Sequence, residues 1–90
     1  MEIATTLSNR EEIYGEYAGT AEIAVYLKTA IRGFTQERGK DLSPDQVDAL
    51  DMIATKVARI LNGNANHIDG WHDISCYAAL VARRLERDQV

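Results

Sequence analysis

The stretch Leu42-Ser43-Pro44-Asp45-Gln46-Val47, followed through to Asn62-Gly63, decides the fold. Ser43 can cap a helix with its hydroxyl, and Pro44 suits the first helical position, where a backbone N–H is not needed. Gln46 stands three residues after the cap, as a capping box requires, and Leu42 with Val47 completes a hydrophobic staple. From Val47 the apolar residues Leu50, Ala54, Val57 and Leu61 recur at three- and four-residue intervals, with Ile53 and Ile60 widening the stripe. The pattern predicts a helix over about 44–62, stopped by Asn62-Gly63.

Toward the N-terminus, Gly19-Thr20 opens a run that carries Ile23, Leu27, Ala30, Ile31 and Phe34 on one stripe and ends at Gly39. Further upstream, Ser8-Asn9-Arg10-Glu11 has capping-box spacing and predicts a short helix beginning at Ser8, interrupted by Gly15 and Gly19. Toward the C-terminus, residues 64–68 read as a loop. Asp69 is then placed to cap a last helix through Trp71, Ile74, Ala78, Val81 and Leu85, with residues 87–90 as its fraying end. No strand periodicity stands out. The expected fold class is all-α: a small antiparallel helical bundle of three to four helices forming a single domain over residues 1–90. A chain this short buries only roughly 60 to 65% of its extended surface, which favours an oligomer.

Two long helices joined by about seven residues lie antiparallel, so facing positions should sum to about 132. That register sets Arg59 opposite Asp73, Lys56 opposite Cys76 and Tyr77, and Asp48 opposite Arg84.

Ten basic against fourteen acidic residues give a net charge of -4, which argues against charge-driven binding to DNA, RNA or anionic membrane. No apolar run approaches the roughly 20 residues needed to cross a bilayer, and the start MEIATTLSNREE lacks the parts of a signal peptide. A cytoplasmic location is therefore expected. One cysteine closes no intramolecular disulfide, and with two histidines it makes too few soft ligands for structural zinc, so no metal is assigned.

The most informative cluster is Lys56 and Arg59 on the third helix with Asp69, Trp71, His72, Asp73 and Tyr77 at the start of the fourth. A lysine and an arginine one turn apart can hold a phosphate, and Trp71 or Tyr77 can stack on a base. The plainer reading is a structural ion pair between Arg59 and Asp73, with Asp69 as a cap and Trp71 in the core. His67 and His72 read as cap or loop contacts. Cys76 reads as a small core residue, with no histidine partner assigned to it. Glu11, Glu12, Glu16 and Glu22 read as a solvated face.

The string KVARILNGNANHIDGWHDISCYAAL, preceded by REEIYGEY, resembles small phage and prophage proteins of the MazG-like family. The resemblance spans about Arg10 to Leu85 and rests on Arg10 with Tyr14-Gly15, Lys56 with Arg59, and Asp69 with Asp73 and Tyr77. It implies an all-α nucleoside triphosphate pyrophosphohydrolase fold in which an E-E-x-x-E helix and an E-x-x-D helix hold magnesium. Here the third helix reads DMIATKVAR, so Lys56 and Arg59 stand where those acids would be. Asp51, the nearest acid upstream, is about 12 Å along the helix from Arg59.

The function expected from residues and resemblance together is a phage or prophage protein that binds a nucleotide or phosphorylated metabolite, sequestering a host signalling nucleotide in the host cytoplasm. Lys56 and Arg59 would contact phosphate, Trp71, Tyr77 or Tyr14 the base, and Asp73 would orient Arg59, with Asp69 and Arg10 also in the ligand site. The alternatives are a pyrophosphohydrolase, using magnesium only in that case and drawing on Asp69, Asp73 and Glu22, and a protein-interaction inhibitor of a host defence or CRISPR complex. The inhibitor would present an acidic face to which Asp41, Asp45 and Asp48 contribute.

Overall fold

The computed structural model describes residues 2–89. They form four helices, α1 (Ile3–Tyr14), α2 (Tyr17–Glu37), α3 (Pro44–Asn62) and α4 (Ile68–Asp88), with no strand among the described residues. The fold is all-α, a small helical bundle.

The first helix begins five residues before the expected Ser8. Glu2 is its cap, accepting a bond from Ala4 N at 3.3 Å, and nothing between Ile3 and Leu7 breaks a helix, so Ser8 falls inside it. Gly15 ends α1 in the left-handed region, at φ +76°, which only glycine adopts without strain. Just two residues, Gly15 and Glu16, separate α1 from α2, which starts at Tyr17 and takes Gly19 into its first turn. Gly39, at φ +59°, turns the chain after α2.

α3 has the expected bounds. Its capping box closes, with Ser43 N donating to Gln46 Oε1 at 3.0 Å. α4 departs from expectation at its start, because His67 is the N-cap and Asp69 lies within the first turn without capping. There the Asp69 carboxylate meets His67 Nε2 at 3.2 Å and sits favourably at the positive end of the helix dipole. At the other end the helix continues through Asp88; of the expected fraying segment, Val90 lies outside the described residues.

α3 is the centre of the molecule. It packs against α2 on one flank and α4 on the other, and among the described residues α2 and α4 do not meet. α3 and α4 run antiparallel, tied by Arg84 to Asp45 at 2.9 Å and Lys56 to Asp73 at 3.1 Å. Both pairs sum to 129 instead of the expected 132, so Arg59 does not face Asp73 and Asp48 does not face Arg84. The loop explains the offset: with α3 ending at Asn62 and α4 starting at Ile68, only residues 63–67 turn the chain. Gly70 lets the helices close up near that turn, since a β-carbon there would lie 3.2 Å from Ile60 Cγ1.

The buried apolar residues are Ala24, Ala49, Ala54 and Ala58, and among the described residues no large side chain is fully buried. Alanines at the crossings allow close backbone approach, while the larger apolar side chains flank the contacts half covered. The radius of gyration, 15.3 Å, exceeds the roughly 12 Å of a compact chain of this length, as a layer of helices one deep would give.

At the N-terminus of α3, Arg84 donates to both Asp45 carboxylate oxygens at 2.9 Å and to Ser43 Oγ at 2.6 Å. The Arg84 bonds, then the Ser43 bond, hold the Asp45 carboxyl well below the usual carboxylate range. A depressed folded-state value stabilises the fold above the unfolded value of about 4, and that stabilisation is lost as pH falls below it. The gap in urea midpoint between the wild type and Asp45→Asn is therefore expected to be constant from about pH 5 to 8 and to close below about pH 4. A gap unchanged into strong acid contradicts this role for Asp45.

Candidate functional site

The site starts from the elbow between α1 and α2, which the end of α3 holds in place. Asn62 Nδ2 donates to Tyr14 O at 2.9 Å, to Glu16 O at 2.9 Å and toward Thr20 Oγ1 at 3.0 Å. Asn64 N donates to Ile13 O at 2.7 Å. Three glycines make the approach possible. A β-carbon on Gly15 or Gly19 would strike Asn62, and one on Gly63 would strike the Ile13 and Tyr14 backbone. The last turn of α1 is thereby fixed beside the last turns of α3.

This fixes Tyr14 against Arg59. The Arg59 guanidinium carbon lies 4.9 Å from the Tyr14 ring centroid, a cation–π contact, and the other neighbour of that ring is His67, edge-on with centroids 6.0 Å apart. Arg10, one turn before Tyr14, shares its side of α1. Arg10, Tyr14 and Arg59 line one cleft between α1, α2 and α3, of about 770 Å³, to which α2 adds Tyr17, Val25 and Lys28. Among the described residues Arg10, Lys28 and Arg59 take part in no ion pair, and Glu11 is the one acid on the cleft wall. Three cations thus converge on one cavity in a chain whose net charge is -4.

The expected site divides. Arg10, Tyr14 and Arg59 come together; Lys56, Asp69, Trp71, Asp73 and Tyr77 lie along the α3–α4 hairpin and do not line the cleft. Asp73 pairs with Lys56, not Arg59, so it does not orient Arg59, and Lys56 is largely covered in that pair. Trp71 is not a core residue; it is 56% exposed, with Nε1 donating to Ala65 O at 2.9 Å across the loop. Tyr77 is half-buried on α4. Asp45, expected on an acidic docking face, is committed to Arg84. Cys76 is exposed instead of buried, and it does have a histidine one helical turn away, His72 Nε2 at 3.6 Å from Sγ.

Sequence reasoning missed Lys28, which carries no local signal, and Asn62, which it used only as a helix stop. A signal for Asn62 was present. Gly15, Gly19 and Gly63 can be read as points of close backbone approach as well as breakers.

Among the described residues no group of three or more His, Cys, Asp or Glu is placed to hold a metal ion. No helix among them is long and apolar enough to cross a membrane. The profile of the family described as a domain of unknown function (DUF6378) matches residues 2–85, and the chain belongs to that family. No curated protein and no solved structure matches it. The matched segment includes α1, α2, α3 and most of α4, and so the elbow, the cleft and the α3–α4 hairpin together.

Replacing Asn62 with alanine removes one donor from each of the Tyr14 and Glu16 carbonyls, which keep the Thr20 hydroxyl at 3.4 Å and the Gly19 and Thr20 amides at 3.1 and 3.3 Å. The expected cost is about 2 kcal/mol, since two hydrogen bonds are lost and each contributes about 0.5–1.5 kcal/mol net. Urea unfolding followed by circular dichroism measures it. A change below about 0.5 kcal/mol, the usual range for surface substitutions, contradicts the role assigned to Asn62.

Proposed function

We propose that this chain binds a nucleotide or phosphorylated metabolite in the cleft between α1, α2 and α3. The observation that carries the reading is the convergence of Arg10, Lys28 and Arg59, none of them in an ion pair among the described residues, on a cavity of about 770 Å³ with Glu11 as the one acid on its wall. That volume is in the range of small-molecule sites. Arginine presents a planar fork of donors to a phosphate, and stacking on Tyr14 restricts how the Arg59 guanidinium can turn. Lys28 adds a point charge. Tyr14 and the exposed Tyr17 offer aromatic faces to a base.

The resemblance to MazG-like phage and prophage proteins supports a nucleotide over other phosphates. On the same reading the protein acts in the host cytoplasm, as a non-catalytic sponge for a host signalling nucleotide. Of the expected phosphate contacts Arg59 stays, and Arg10 and Lys28 take the place of Lys56, because Lys56 is held by Asp73.

Calorimetry against mono-, di-, tri- and cyclic nucleotides, with and without magnesium, tests this. At least one nucleotide should bind, more weakly as salt is raised, without turnover. Arg59→Met should weaken capture tenfold or more with helicity retained, whereas Lys56→Met should change it less than threefold. Absence of binding to every nucleotide at millimolar concentration contradicts the proposal, as does equal loss in both variants. Release of pyrophosphate from a triphosphate replaces the sponge with an enzyme.

A further inference from the structure

The three apolar stripes that the sequence presents as core are not enclosed by this chain. Ile23, Leu27 and Ala30 on α2, Ile53 and Val57 on α3, and Ile74, Val81 and Leu85 on α4 are only half-buried. Phe34, Leu50, Leu61 and Trp71, on the same stripes, are 58%, 37%, 65% and 56% exposed.

These stripes lie on one side of the molecule. Leu50 and Ile53 of α3 and Ala78, Val81 and Leu85 of α4 line a single groove, so the α3 and α4 stripes flank each other. The cationic cleft takes Ala21 and Val25 from α2 and Thr55 and Arg59 from α3. At roughly 100° per residue, Ile23, Leu27 and Phe34 fall on the flank of α2 away from Val25, and Leu50, Val57 and Leu61 on the flank of α3 away from Arg59. Both helices therefore turn their apolar flanks to the side opposite the cleft. The ion pairs Lys56–Asp73 and Arg84–Asp45 stand off this surface, and the residues of the three stripes carry no charge.

We infer that this α2–α3–α4 face is covered by a second copy of the chain, in a two-fold dimer. Area identifies the occupant. A compact monomer of 10.0 kDa exposes about 5,200 Å², and this chain exposes 6768 Å². The excess, shared between this face and the open cleft, is about 1,500 Å² per chain, so two chains can bury up to about 3,000 Å² between them, which reaches the range of obligate homodimers. An uncharged apolar sheet of three helices is also self-complementary, as a two-fold interface must be. The dimer gives the stripes the enclosed core that one chain lacks, six helices in two layers, and leaves the cationic cleft open on the outer side of each. The inference does not depend on what the cleft binds.

Sedimentation equilibrium of the full chain tests it. The expected mass is twice the 10.0 kDa chain at micromolar concentration. Phe34→Glu and Leu61→Glu, both at exposed positions, should each give a helical species of single-chain mass. Independently of any variant, a mixture of isotope-labelled and unlabelled wild type should show intermolecular contacts at the methyl groups of Leu27, Leu50, Val57 and Leu85. A single-chain mass for the wild type at about 100 μM overturns the inference. So do folded glutamate variants that keep the two-chain mass, and intermolecular contacts confined to residues outside the three stripes.

Discussion

One side-chain amide organises this molecule. Asn62, the last residue of α3, donates to two carbonyls of the α1–α2 elbow and toward the Thr20 hydroxyl, and thereby holds that elbow against the end of α3. α1 has little else to hold it. It buries no residue, and its amphipathic character is slight. Without the amide and the Asn64-to-Ile13 bond beside it, α1 would be a short helix attached through two residues. Isolated helices of about a dozen residues are marginal in water, so tertiary bonds at its end decide whether it is ordered. Arg10 and Tyr14 ride on that helix, and the cleft has its α1 wall only because the helix is held.

The rest of the fold is governed by alanine. Ala24, Ala54 and Ala58 let α2 and α3 approach closely, and Ala49 does the same beside α4. Small residues at crossings bring helices near without enclosing larger side chains. The result is a layer that carries the cationic cleft and the ion pairs on one side and the three apolar stripes on the other. The two sides have separable tasks: cation density on one side serves an anionic ligand, and uncharged breadth on the other serves association.

Much of the fold was legible because its signals are local. The cap, proline and glutamine at residues 43–46 and the stripe from Val47 to Leu61 fix α3 without reference to anything distant. The start of α1 was not legible, because the capping-box spacing of Ser8 and Glu11 points to Ser8, whereas the cap is Glu2, a residue type not favoured there. The hairpin register failed for a different reason. It depends on where both helices end, and a two-residue earlier start of α4 with a tighter loop moves every facing pair by three positions. That shift exchanged Arg59 for Lys56 as the partner of Asp73. The two residues are three apart on α3, roughly 60° around the helix, and for a helix packed between two others that angle separates one neighbour from the other. Of the expected site residues, Lys56, Asp69, Trp71, Asp73 and Tyr77 thus lie along the α3–α4 hairpin and Arg10, Tyr14 and Arg59 beside α1. Arg59 entered the expected site through the cation pair on α3, and Arg10 and Tyr14 through the resemblance, while Lys28 depends on how α2 packs and has no mark in the sequence.

The most direct test of this account is the side-chain amide of Asn62 in a nitrogen-15 NMR spectrum of the wild-type chain. Its two protons should exchange slowly with solvent and show proximity to Gly19 and Thr20, placing the amide inside the elbow. A pair exchanging at the rate of a free asparagine, with no cross-peaks to the elbow, would mean that α1 is not held there and that the cleft has no fixed wall.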